Sequence, residues 1–196
     1  APNLIDITVD GREIKAIAQV TKQGFTYVFD RATGVPVWPI IERAVPAATI
    51  PGERASPTQP FPTKPPAFAL QGLTEDDLID FTPALRAEAV QRLENFTYGP
   101  LFTPPSLPQG DKRGTILMPG AGGGANWTGA GIDPESGVLF VPSRDSATVP
   151  RMGTLDGDES NFNYFRLNFL GVAGPQGLPL LKPPYSTITA FDMNSG

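Results

Sequence analysis

The chain contains neither cysteine nor histidine. Without cysteine there is no disulfide, no thiol nucleophile and no thiolate metal site, while the compartment stays open. Without histidine, Ser-His-Asp chemistry, imidazole bases and His-ligated zinc or iron are excluded within these 196 residues. No apolar run approaches the roughly 18 residues that cross a bilayer. APNLIDITVDG opens as if in mid-structure and not as a signal peptide. A basic face is also missing: the net charge of −5 argues against nucleic acid or an anionic membrane as partner.

Apolar residues make up 40% of the chain, enough for a real core. Proline and glycine are in excess, 23 and 21 residues, roughly a fifth of the chain against an ordinary ~12%. The prolines cluster at 57–66, 100–108 and 175–184, which read as long extended loops or insertions between strands. Phe61, Phe68, Leu101 and Phe102 mark such segments as packing on something.

Between the clusters the pattern is mostly strand. LIDITV alternates, Asp10-Gly11 turns, and EIKAIAQV returns. A second hairpin passes through Lys22-Gln23-Gly24 into FTYVFD, Thr33-Gly34 turns again, and VPVW follows. Further strands are expected at 115–118, on both sides of the Asp-Pro-Glu-Ser-Gly turn in GIDPESGVLFVPS, and in TITAFD. One helical block interrupts them. Thr74 caps an acidic first turn, and Thr82-Pro83 starts a second helix with Leu85, Ala89 and Leu93 on one face.

Two turns share a pattern: apolar residue, Asp, two residues, Thr or Ser, Gly. FDRATG is followed by VPVW, so Trp38 comes four places after Gly34, whereas FDMNSG ends the sequence. Asp30 and Thr33 can bond turn backbone, Gly34 can take a positive φ, and Trp38 can lie flat against a neighbouring sheet. The plainer alternative is an Asx-turn beside a core tryptophan. Taken by itself, Lys22 reads as a solvated charge beside a turn. AGGGANW lacks the Lys-Ser/Thr of a phosphate loop, and by itself reads as a structural turn with a buried Trp127.

Together these segments resemble the quinoprotein dehydrogenases that depend on pyrroloquinoline quinone (PQQ), the glucose dehydrogenase type in particular. Asp30-x-x-Thr33-Gly34-x-x-x-Trp38 resembles that family's tryptophan-docking motif, and TKQGFTYVFDRATG resembles the segment presenting its PQQ-contacting lysine. PTQPFPTKPP, LFTPPS and GAGGGANWTGAGIDPESG follow in the family's order. The resemblance implies an all-β fold: two to three four-stranded antiparallel blades of an eight-bladed β-propeller. An insertion is expected at about 43–112, with helices near 74–95. It also implies a chain internal to a longer polypeptide, completed by the remaining blades.

By the same resemblance, Lys22, Asn126 and Trp127 contact PQQ, with Asn126 donating to the quinone and Lys22 stabilising negative charge on its oxygens. The catalytic aspartate is expected just before Ala1, and the Ca2+ ligands further upstream, so no catalytic or metal-ligating residue is assigned here. The implied reaction is oxidation of a sugar or alcohol, with electrons passing to ubiquinone or a cytochrome in the bacterial periplasm and any membrane anchor upstream. A propeller-type binding or structural module without redox chemistry is the alternative. Asp76, Asp77 and Asp80 are read as helix-start acids, and Asp156-Gly-Asp-Glu159 resembles a calcium loop only superficially. Arg144-Asp145 is read as a surface pair, the alternative being the lining of a substrate mouth. Asn168 is a weak candidate to reach the site from a loop.

Overall fold

The computed structural model describes residues 1–155 and 160–196; the Asp156–Glu159 segment lies outside them. Its first sheet is a meander. β1 (Asn3–Val9), β2 (Arg12–Val20) and β3 (Thr26–Asp30) pair antiparallel in that order. Asp10 and Gly11 both take positive φ between β1 and β2, the backbone that a two-residue hairpin turn with right-handed twist requires. Alternation puts Ile5, Ile7, Ala16, Ala18, Val20 and Val28 on one buried face.

The fourth strand position is held by less than a strand. Phe29 and Pro36 form an isolated bridge, and the Val37 amide donates to the Val28 carbonyl at 2.9 Å. Pro36 and Pro39 have no N–H to extend the ladder, so the expected four-stranded blade is three strands and a bridge.

β4 (Ile40–Ala44) and β5 (Thr58–Pro62) make a hairpin where the proline cluster reads as loop. Pro60 and Pro62 are two residues apart, so both missing N–H groups face the same side, away from β4. Consistent with this, the Pro60 carbonyl accepts from the Tyr27 hydroxyl at 2.8 Å. The expected first helix is only a 3-10 turn, Glu75–Asp77. The second is α1 (Pro83–Leu93), with the Thr82 hydroxyl accepting from the Leu85 amide at 3.2 Å and Ala89 and Leu93 buried. Asp77 accepts from the Thr74 amide and hydroxyl, at 2.7 and 2.8 Å, and Asp76 lies 3.8 Å from Arg86.

Residues 115–118 do not form the expected strand. They contribute single bridges, Thr97 to Thr115 and Leu117 to Thr148. β6 (Gly131–Asp133) and β7 (Val138–Arg144) flank the Asp-Pro-Glu-Ser-Gly turn, and β10 (Ser186–Asp192) pairs with β7, giving the order β10-β7-β6. Between β7 and β10 the chain leaves the sheet as a second hairpin, β8 (Thr148–Thr154) with β9 (Tyr164–Gly171), bulged between Pro150 and Met152.

The β1–β3 and β6-β7-β10 sheets stack on one core, where Ile5, Ala18, Val28 and Trp38 meet Leu139, Val141, Phe191 and Met193. Among the described residues no strand crosses from one of these sheets to the other. Sheets built in succession and stacked face to face are the layout of a partial β-propeller. A second core lies under α1, joining Leu73, Leu78, Ile79 and Leu93 to Ile116, Val149 and Leu180. Each fully buried Leu or Ile contributes about 1.5–3 kcal/mol.

Candidate functional site

The site begins with two turns that lock together. In the first, the Thr21 hydroxyl donates to the Phe25 carbonyl at 3.0 Å, and the Gly24 amide donates to the Thr21 carbonyl at 3.1 Å. These bonds hold Lys22 at the tip, exposed, where β2 gives way to β3. The second is the glycine loop 120–124. Its Gly124 amide donates to the Lys22 carbonyl at 2.9 Å, and the Lys22 ammonium donates to the Ala121 carbonyl at 3.3 Å.

Only glycine permits this approach. Gly123 has φ of +80°, and a Cβ there would lie 2.6 Å from Lys22 Cα and Cβ. The loop is tied on its far side too: the Arg144 amide donates to the Gly124 carbonyl at 2.9 Å, and the Ala121 amide to the Thr148 hydroxyl at 2.8 Å.

Beyond the loop the chain turns at Asn126. Its side-chain amide donates to the Gly122 carbonyl at 2.8 Å, and its side-chain oxygen accepts from the Trp127 amide at 2.9 Å. One Nδ2 hydrogen remains for another acceptor. Trp127 is not the buried turn residue of the plainer reading: it is 90% exposed. Lys22, Asn126 and Trp127 line one cleft of about 230 Å³, with Ala1, Gln19, Val20 and Ala125. Three residues from two segments more than half the chain apart are therefore neighbours. Asn168 is not among them; it sits exposed on β9 instead of a loop. Nor do Arg144 and Asp145 form the expected pair. Asp145 instead accepts from the Leu70 amide at 3.1 Å, and among the described residues Arg144 has no carboxylate partner.

The cleft lining offers the Lys22 ammonium, the carboxamides of Asn126 and Gln19 and an open indole face, and no carboxylate. That donor set fits a planar, polyanionic quinone such as PQQ. A calcium ion finds no comparable set, since no three acidic side chains gather among the described residues.

Trp38, 9% exposed, lies in the core between the two stacked sheets. Its edge reaches the turn after β10, where a Cβ on Gly196 would lie 3.1 Å from Cζ2. The Asn194 side-chain oxygen of the same turn accepts from the Thr8 amide of β1 at 2.8 Å, and Lys64 donates to the Ser195 carbonyl at 2.9 Å.

The turn pattern occurs a third time, with no tryptophan after it: Asp133-Pro-Glu-Ser136-Gly137. Gly34, Gly137 and Gly196 share a φ near +75° (75°, 73° and 75°). In each turn the aspartate carboxylate accepts from the amide two residues on, at 2.8, 3.0 and 2.8 Å for Ala32, Glu135 and Asn194. These bonds favour the ionised form. The Ala32 amide holds Asp30 below the usual carboxylate range, the Ser136 hydroxyl holds Asp133 there, and the Asn194 amide holds Asp192 there.

Because the folded pKa values lie below the unfolded one, the turns' contribution is full above about pH 4. It is lost as pH falls through the folded values. A triple Asp→Asn variant is therefore expected to lose less melting temperature than the wild type between pH 7 and pH 3. Equal acid losses in the two proteins would show that these turns are not the acid-sensitive elements.

The comparisons with known proteins agree with one another. The profile of the PQQ-dependent glucose/ethanol/alcohol dehydrogenase β-propeller domain matches residues 1–196. The chain is similar to a glycerol dehydrogenase large subunit of Gluconobacter thailandicus, 32% identical over 213 residues that cover 95% of the chain and 28% of that protein. It is 28% identical to a quinate/shikimate dehydrogenase (quinone) of Acinetobacter baylyi and 28% identical to a quinoprotein glucose dehydrogenase of Escherichia coli. Each of these two alignments covers 99% of the chain and 26% of the relative. The chain thus spans about a quarter of the length of these relatives. No solved structure matches it.

Proposed function

Because the chain belongs to the PQQ-dependent glucose/ethanol/alcohol dehydrogenase β-propeller family, we propose that it forms the PQQ-facing part of a dehydrogenase acting on a sugar or other polyhydroxy alcohol. The observation that carries this reading is the shared cleft of Lys22, Asn126 and Trp127. Bound PQQ supplies the two-electron acceptor for oxidation of an alcohol carbon.

The chain's own residues do the positioning. Lys22 sets a compact positive charge at the cleft wall, and its bond to Ala121 leaves two N–H donors for anionic oxygens. A fixed cation stabilises charge growing on those oxygens more than it stabilises the ground state. The open indole of Trp127 gives a flat ring a surface to cover, and the remaining Nδ2 hydrogen of Asn126 gives one directed donor. Trp38 serves as a blade-to-blade dock through its contact with the turn at Gly196. Periplasmic location, an electron acceptor such as ubiquinone or a cytochrome, and a calcium ion held outside this chain belong to the same proposal.

The substrates for which the relatives are named supply the test panel: glucose, glycerol and quinate. The full-length protein, supplied with PQQ and calcium, is expected to reduce an electron-accepting dye with at least one of them and not when PQQ is withheld. No PQQ-dependent turnover on the panel, together with a ligand interaction indifferent to PQQ, would replace the dehydrogenase reading with a binding module.

A further inference from the structure

A second, larger cleft opens beside the first. It measures about 610 Å³ and shares Asn126 and Ala125 with the Lys22 cleft. Its walls come from the glycine loop, the end of β7 and the start of β10. Strand register explains the lining: Ser186 faces Arg144 and Thr187 faces Ser143 across the β7–β10 pair.

The result is a hydroxyl-rich surface with one guanidinium. Thr128, Ser146 and Ser186 supply hydroxyls that are free among the described residues, Arg144 supplies the charge, and no carboxylate lines the cleft; the Ser143 and Thr187 hydroxyls bond each other at 2.8 Å, and the Ser143 hydroxyl also bonds the Phe68 carbonyl at 3.1 Å. Arg144 is exposed and has no carboxylate partner among the described residues. Its backbone amide carries the bond that fixes the glycine loop, so its side chain is not needed for that support. A guanidinium that has no carboxylate partner among the described residues and lies beside hydroxyls suits a ligand bearing both a carboxylate and several alcohols, because the planar fork takes a carboxylate through two hydrogen bonds.

We infer that this cleft is the substrate pocket and that it favours polyhydroxy carboxylates over neutral polyols, with Arg144 as the specificity-determining anchor. The inference rests on the assignment of the adjoining Lys22 cleft to PQQ. Arg144 also borders a third cleft, with Asp145 and Tyr185. The Asp145 carboxylate there opposes an anionic ligand, whereas the hydroxyl-lined side welcomes one.

The test compares two linear six-carbon probes, D-gluconate and D-sorbitol, which differ in a single carboxylate. Binding to the full-length protein is measured by calorimetry, without turnover. The wild type is expected to bind gluconate at least about tenfold tighter than sorbitol, as a charge-assisted pair permits. Arg144→Gln is expected to erase that preference while leaving sorbitol binding and the melting temperature unchanged. Equal or absent binding of both probes by the wild type, or a preference that survives in R144Q, would overturn the inference. A parallel PQQ titration separates it from the reading beneath it. If PQQ binds wild type and R144Q alike, the substrate assignment stands on the calorimetry. If R144Q loses PQQ as well, Arg144 belongs to the cofactor and the inference fails. If the wild type itself does not bind PQQ, the underlying reading fails with it.

Discussion

Replacing Lys22 by alanine lowers the turnover of the PQQ-loaded full-length protein by about 10²–10³-fold, the usual loss when one preorganised donor to a developing negative charge is removed. The melting temperature should barely move, because Lys22 is exposed and the bonds that build its turn come from Thr21 and the backbone. Lys22→Arg keeps the charge and loses its shape. The planar fork does not reproduce the compact ammonium with its three donors, so turnover should recover only in part. Unchanged turnover in K22A would leave the lysine a solvated surface charge. A fall in turnover matched by a fall in melting temperature would make its role structural.

Trp38→Ala should cost about 3–5 kcal/mol of folding stability, the range for emptying a buried large aromatic site. The physical reason is the position of Trp38 between two sheets: it packs in the core shared by β1–β3 and β6-β7-β10, and its edge closes on the turn after β10. Emptying that site removes apolar burial from both faces at once. Trp38→Phe should lose less, since a ring remains in the gap. Denaturant unfolding of the three proteins checks this through their midpoints. A loss under about 1 kcal/mol for W38A would mean that the sheets hold together without the tryptophan, and the docking role would go.

How much of this could be read from the residues alone varies with the element. β1 and β2 are legible because alternation and Asp10-Gly11 agree, so local propensity and burial point the same way. The turn at Asp30 is legible for a similar reason, since a hydrogen-bonding aspartate and a positive-φ glycine leave few other backbones. β5 is hidden because prolines ordinarily break a ladder, and only pairing on one edge lets Pro60 and Pro62 sit in a strand. β9 is hidden because Leu167, Phe169 and Leu170 are all exposed, so it has no two-residue alternation to read.

The site divides in the same way. Thr21, Lys22 and Gly24 form a local turn that short-range chemistry can anticipate. Nothing in spacing or periodicity brings Lys22 to Asn126; only family resemblance names them together, and the fold is what places them in one cleft. The exposure of Trp127, and the lack of a carboxylate partner for Arg144 among the described residues, are tertiary facts. Each depends on which neighbours fail to arrive, and no local pattern encodes that.

The most direct test of the central claim, that the Lys22 cleft holds PQQ, is equilibrium dialysis of PQQ against the full-length protein. Three proteins suffice: wild type, Lys22→Ala, and Lys15→Ala as an exposed-lysine control on β2. The account predicts saturable binding, weakened at least about tenfold by K22A and unchanged by K15A, a loss of about 1.4 kcal/mol or more. Equal affinity for wild type and K22A would contradict it.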